Sequence, residues 1–153
     1  MKAILLLGCA LLAFFGGSER LLAETTSAGS GQLVAADARI RSLLPTKTTT
    51  AGFLTLNNRS SSDEKLVKVE AEGVGSIEIH AHIHEGGMMK MRQVSSLLVS
   101  ANSSVSLQPG GYHLMLFKVG AGFDPGQSVV LQLTFESGFQ MDVTANVISV
   151  LQE

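Results

Sequence analysis

Residues 76–94 read SIEIHAHIHEGGMMKMRQV, and the period of the stretch is two. His80, His82 and His84 alternate with Ala81 and Ile83. That spacing puts the three histidines on one face of a strand. Gly86-Gly87 then breaks the run with a dipeptide suited to a tight hairpin turn, and Met88 to Val94 returns as the partner strand. Strands over 76–84 and 88–94, paired as a hairpin, set the class as all-β.

Working outward from this hairpin, the same signals recur. Short runs rich in β-branched residues predict strands over 34–39, 50–56, 66–72, 104–107, 113–118, 128–135 and 140–147. The breaks between them carry turn chemistry: Asn57 to Asp63, Gly73-Val74-Gly75, Pro109-Gly110-Gly111, Asp124-Pro125-Gly126 and Ser137-Gly138. No stretch shows a sustained 3.6-residue period, and no internal repeat is present. Eight or nine strands predict a sandwich or barrel.

Composition agrees with a single globular domain: 153 residues, 45% hydrophobic and 16% charged. A formal net charge of −2 leaves no basic surface to neutralise a phosphate backbone, so nucleic acid is not the expected partner. The first residues form a separate unit. Met1-Lys2 supplies a positive start and Ala3 to Phe15 an uncharged apolar run, the pattern of a signal peptide. As a helix that run reaches only about 20 Å, short of the ~30 Å hydrocarbon core, so no stable membrane insertion is expected once the signal is removed. Cleavage after Ala23 is expected, with Gly17 and Ala28 as alternatives because Leu21 is a poor third residue back. Residues 1–23 are thus read as signal peptide, the small polar residues 24–32 as a flexible linker, and residues 33–150 as the domain.

The lone cysteine, Cys9, lies inside the apolar run. Leu6-Leu7-Gly8-Cys9 faintly resembles a lipoprotein cleavage box, but only eight residues precede the cysteine, and lipid anchoring there is not the expectation. The exported, periplasmic protein would then contain no cysteine. In an oxidising compartment that matters, because thiolate ligands are lost to disulfides and thioethers or imidazoles are not.

All four histidines and four of the six methionines fall between His80 and Met115. Imidazole nitrogen with thioether sulfur suits a soft or borderline ion, Cu(I) above all. On a strand His113 and Met115 project from one face and Leu114 and Leu116 from the other, so one strand offers two donors beside a core. A lone His-x-Met would be a surface histidine next to a buried methionine; the neighbouring donors argue otherwise. Tyr112 is placed to wall the site. His80 and His84 lie about 13 Å apart along a flat strand, too far to share one ion. Met89 and Met91 share a face, Met88 takes the other, and Met88 and Met89 are expected to pack or line a rim. Glu70, Glu72 and Glu78 read as solvated strand faces.

The order His80, ten residues, Met91, twenty-one residues, His113, one residue, Met115 resembles the metal-binding pattern of the periplasmic copper chaperone family PCu(A)C. Ile77-Glu78-Ile79-His80, Met89-Lys90-Met91-Arg92, Leu107-Gln108-Pro109-Gly110-Gly111-Tyr112-His113-Leu114-Met115-Leu116 and Val130 to Phe135 resemble the family around those positions. The likeness runs from about Leu33 to Val147. It implies a cupredoxin-like Greek-key barrel or sandwich holding Cu(I) through His80, Met91, His113 and Met115. It also implies delivery to a copper-accepting protein, such as a cytochrome oxidase subunit or another copper chaperone, and assembly of the oxidase's copper centre. Members usually carry methionine two residues after the first histidine; here His82 stands there, followed by His84. Extra imidazoles shift preference towards Cu(II) or Zn(II), so His82 and His84 are candidates for a weak auxiliary metal site, the alternative being solvated histidines on an edge strand.

No catalysis is expected. No nucleophile motif surrounds any serine. A copper store or scavenger using the same site is the alternative. A copper redox protein is a weaker one, since electron-transfer copper sites typically use a thiolate. The oligomeric state is not legible.

Overall fold

The computed structural model describes residues 32–150. The expected signal peptide with Cys9, and all of the expected linker except Gln32, lie outside the described residues. Ten strands follow one another: β1 Leu33–Arg41, β2 Thr49–Asn58, β3 Glu64–Ala71, β4 Ser76–Glu85, β5 Met88–Val94, β6 Leu97–Val99, β7 Ser103–Leu107, β8 His113–Phe117, β9 Ser128–Phe135 and β10 Gln140–Ile148. Among the described residues no helix is long and apolar enough to cross a membrane.

The strands join in the order β5-β4-β8-β2-β1-β10-β9-β3-β6, with β7 continuing along β2 beyond β8. Among the described strands only β1 and β10 pair in parallel, the other strand pairs being antiparallel. A bulge in β1, where Asp37 takes a φ of 53° and the register slips between Ala36 and Arg39, lets the strand serve both neighbours. Its second half pairs with β2 through Arg39 and Ile40, and with β10 through Arg39 to Arg41. The sheet folds over so that β3 lies near β4 and β6 near β7. This is the sandwich expected of a cupredoxin-like domain.

Alternation fills the interior. Leu54 and Leu56 of β2, Leu114 and Leu116 of β8, Leu131, Leu133 and Phe135 of β9, and Ala145 and Val147 of β10 are almost fully buried in one cluster. Leu66, Val69, Ile79, Leu97 and Val99 join them. Burying such side chains stabilises by roughly 1.5–3 kcal/mol each before chain entropy is counted.

Two differences from the sequence expectation are local. Ten strands form where eight or nine were expected, the addition being β6, which pairs Leu97, Leu98 and Val99 with β3. Three residues are too few for alternation to announce a strand. Asn58, which heads an Asn-Arg-Ser triplet in the 57–63 turn, is buried at 1% exposure. Its Nδ2 donates to the carbonyls of Ser62 (2.8 Å) and Val99 (3.0 Å), and its Oδ1 accepts from the Ser60 amide and hydroxyl. The residue pins the turn to β6.

Candidate metal centre

The β4–β5 hairpin turns through Gly86 and Gly87, whose φ values are 61° and 78°. Two consecutive positive φ values define the two-residue turn that matches strand twist, and glycine takes them without steric cost. This turn sets the register: His82 lies opposite Met91, His84 opposite Met89 and His80 opposite Gln93. On its other side β4 meets β8, with His80 opposite His113 and Glu78 opposite Met115. Residues directly opposite share a face. Glu78, His80, His82, Met91, His113 and Met115 therefore all project from the outer face, while Ile79, Leu114 and Leu116 project into the core.

His113 anchors the cluster. It is buried, its Nδ1 lies 3.1 Å from the Gly111 carbonyl, and its Nε2 lies 3.2 Å from the Met91 sulfur. A carbonyl only accepts, so Nδ1 carries the proton and, in the neutral ring, Nε2 presents a bare lone pair. Burial holds this imidazole below the usual histidine range; the Gly111 bond opposes the shift, and His82, His80 and Arg41 add to it. The ring is thus neutral at neutral pH. Two lone-pair donors 3.2 Å apart are close to the roughly 3.5 Å spacing of nitrogen and sulfur ligands on one tetrahedral ion.

His82, Met91, His113 and Met115 line one open cleft of about 270 Å³ together with Arg41, Ala51, Phe53, Pro109 and Gly110. Phe53 is buried but stands outside the core cluster. The Arg39 and Arg41 guanidinium carbons lie 5.3 and 5.2 Å from its ring centre, so it is capped by cations on the outer face. Tyr112, expected to wall the site, does not line the cleft; Pro109 and Gly110 do.

His80 stands beside this cleft. Its ring centre is 5.9 Å from that of His113 and 6.3 Å from that of Phe117. Its Nε2 donates to Glu78 Oε2 at 2.8 Å, a bond that orients the ring and leaves Nδ1 as the free nitrogen. That Nδ1 is buried with no hydrogen-bond partner, and so is Nδ1 of His82. Buried polar atoms are nearly always satisfied, so two imidazole nitrogens in one cluster without a protein partner fit a site that takes a ligand. Glu78 corrects the expectation of a plain solvated carboxylate: at two residues' spacing on a strand it shares the face of His80 and holds it.

The four expected ligands thus lie on one face, three of them in the cleft and His80 at its side. Of the auxiliary pair, His82 is in the cleft; the side chain of His84 lies outside the described part of the structure. Met88 and Met89 are more than half exposed. Among the described residues no group of three or more His, Cys, Asp or Glu side chains is arranged to hold a metal ion. Sequence reasoning missed Glu78, Phe53, Arg41 and the Gly111 carbonyl. Only the Glu-x-His spacing could have pointed to the first.

Residues 33–147 match the family described as "Putative lipoprotein LpqE-like". The uncharacterized protein RP573 of Rickettsia prowazekii (strain Madrid E) is 31% identical over 98 residues, 63% of this chain and 54% of that protein. "Putative lipoprotein Lxx21020" of Leifsonia xyli subsp. xyli (strain CTCB07) is 29% identical over 90 residues, 58% of this chain and 54% of the relative. The chain spans about half the length of these curated relatives. Among solved structures, the copper-bound PCuAC domain from PmoF2 superposes with a TM-score of 0.67 at 18% identity, over 78% of this chain and 94% of that one. The solution structure of CuI-DR1885 from Deinococcus radiodurans gives 0.65 at 27% identity, over 81% and 83%. Matched along nearly the whole described domain, and sharing its fold with these structures, the chain belongs to the LpqE-like family and has the fold of the PCu(A)C copper-chaperone domains.

Proposed function

We propose that this exported, periplasmic protein is a copper metallochaperone. It binds one Cu(I) through His80, Met91, His113 and Met115 and hands it to a copper-accepting protein, such as a cytochrome oxidase subunit during assembly of its copper centre. It catalyses no reaction. The observation that carries the proposal is the approach of the bare Nε2 of His113 to the Met91 sulfur in a cleft that Met115 also lines.

The chemistry supports it in three ways. Two imidazoles and two thioethers are neutral, so the centre keeps only the charge of its cargo and favours the soft, reduced ion. The Gly111 carbonyl and the Glu78 carboxylate fix which ring nitrogen of His113 and of His80 is left bare, as second-layer partners do for metal-ligating histidines. Met91 is 54% exposed, so one ligand stands where an acceptor can reach the ion.

Anaerobic titration with Cu(I) against a competing chelator tests the site. One tight equivalent is expected for the native protein and none for Met91→Ala or His113→Ala; native-like binding in either variant would refute it. Transfer separates chaperone from store: the loaded protein, mixed with an apo oxidase copper domain, is expected to give up its copper, and retention would favour storage.

A further inference from the structure

His82 is the imidazole that the four-ligand pattern leaves unused, yet it lines the cleft and His80 does not. We propose that His82 is a second, interchangeable imidazole for the same copper ion, giving two overlapping donor sets that share Met91, His113 and Met115. The proposal rests on the reading of this cleft as the copper site.

Four observations carry it. The ring centre of His82 is 5.1 Å from that of His113, against 5.9 Å for His80. Two imidazoles on one tetrahedral ion, with metal–nitrogen bonds of about 2.0 Å, hold their ring centres about 5 Å apart. The wider His80 spacing requires a more open angle at the ion. In register, His82 lies directly opposite Met91, the sulfur that approaches His113. Its Nδ1 is buried with no partner. Finally, the backbone N–H of His82 donates to the Gly111 carbonyl at 3.4 Å, the same oxygen that lies 3.1 Å from His113 Nδ1. One carbonyl thus sets the position of both imidazoles.

His80 is equally ready. With Nε2–H committed to Glu78, it offers a buried, unpartnered Nδ1 beside the cleft, its ring centre 5.9 Å from that of His113. An ion held by His113 and the two sulfurs would exchange one imidazole for the other while keeping those three bonds. No electron moves and no bond to sulfur breaks in that exchange. This assigns His82 to the main centre and not to a separate site with His84, which stands opposite Met89, nearer the hairpin turn.

Chelator competition with Cu(I), joined to X-ray absorption at the copper edge, tests the proposal on His80→Ala, His82→Ala, the double variant and His113→Ala. Each single variant is expected to retain one equivalent with affinity lowered by no more than about tenfold, and the double to lose about a hundredfold or more. The loaded His80→Ala protein is expected to keep two nitrogen and two sulfur neighbours. A single variant falling to the level of the double overturns interchangeability, as does a double variant that binds like the native protein. Native-like binding by His113→Ala would instead refute the copper site itself. Both histidines lie on the outer face, and asparagine at either position, with circular dichroism, separates ligand loss from misfolding.

Discussion

In the proposed copper site, His113 is held neutral and in one tautomer before any metal arrives. Burial lowers its pKa and the Gly111 carbonyl fixes its tautomer. The lowered pKa has a consequence for the apo protein. The unfolded chain takes up a proton near the ordinary value of about 6.5, while the folded chain resists until lower pH. Between those two values the unfolded state binds more protons, so stability conferred by neutral His113 is complete above about pH 6.5 and declines as pH falls to the folded value. Urea denaturation of the metal-free protein at pH 7.5 and 5.5 is expected to give a lower midpoint at the acid pH, and His113→Gln a smaller drop between the two. An equal drop in both proteins would place the effect elsewhere. At this scale the sequence was partly legible. That His113 and Met115 share a face follows from strand period, because alternate residues project to the same side, whereas Met91 stood out only through the family resemblance. Glu78 and Phe53 were not legible: a glutamate on a strand looks solvated, and a phenylalanine looks like core, until the register shows what stands opposite.

The β4–β5 hairpin is the element that joins these donors. Its two strands were readable because Gly86-Gly87 punctuates strict alternation, and the observed bounds of β5 are those expected. β6 was hidden for the opposite reason, being held by β3 and by Asn58, both distant in sequence. Since both turn glycines have positive φ, a side chain at either is strained even though the space around it is open. Gly87→Val is expected to cost about 1–2 kcal/mol in chemical denaturation. It is also expected to weaken Cu(I) binding, because Met91 reaches His113 only in this register. Undiminished copper affinity in a destabilised Gly87→Val protein would show that Met91 is positioned without the turn. Asn58→Ala tests the other junction. It leaves the buried Val99 carbonyl without this donor, and a loss of about 1–3 kcal/mol is expected by the same measurement, with copper affinity unchanged.

Across the whole molecule, the sandwich keeps stability and binding on opposite faces of the same strands. In β8 Leu114 is fully buried between His113 and Met115, so the residue that packs the core and those that face the cleft are neighbours in sequence. Leu114→Ala is expected to destabilise the apo protein by about 2–5 kcal/mol, the range for removing a leucine side chain from a packed core. Copper bound only by the folded state adds stability by mass action, about 2.7 kcal/mol when free Cu(I) is a hundredfold above its dissociation constant. For a domain of this size that corresponds to a rise in Tm of the order of 10 °C. If the two faces act independently, Cu(I) should restore to Leu114→Ala the same increment of free energy that it adds to the native protein. Met91→Ala, intact in its core, should gain none. Anaerobic thermal unfolding of the three proteins with and without Cu(I) reads this directly. A much smaller increment in Leu114→Ala would mean that the cavity beneath β8 disturbs the donors above it, and that core and cleft are one cooperative unit.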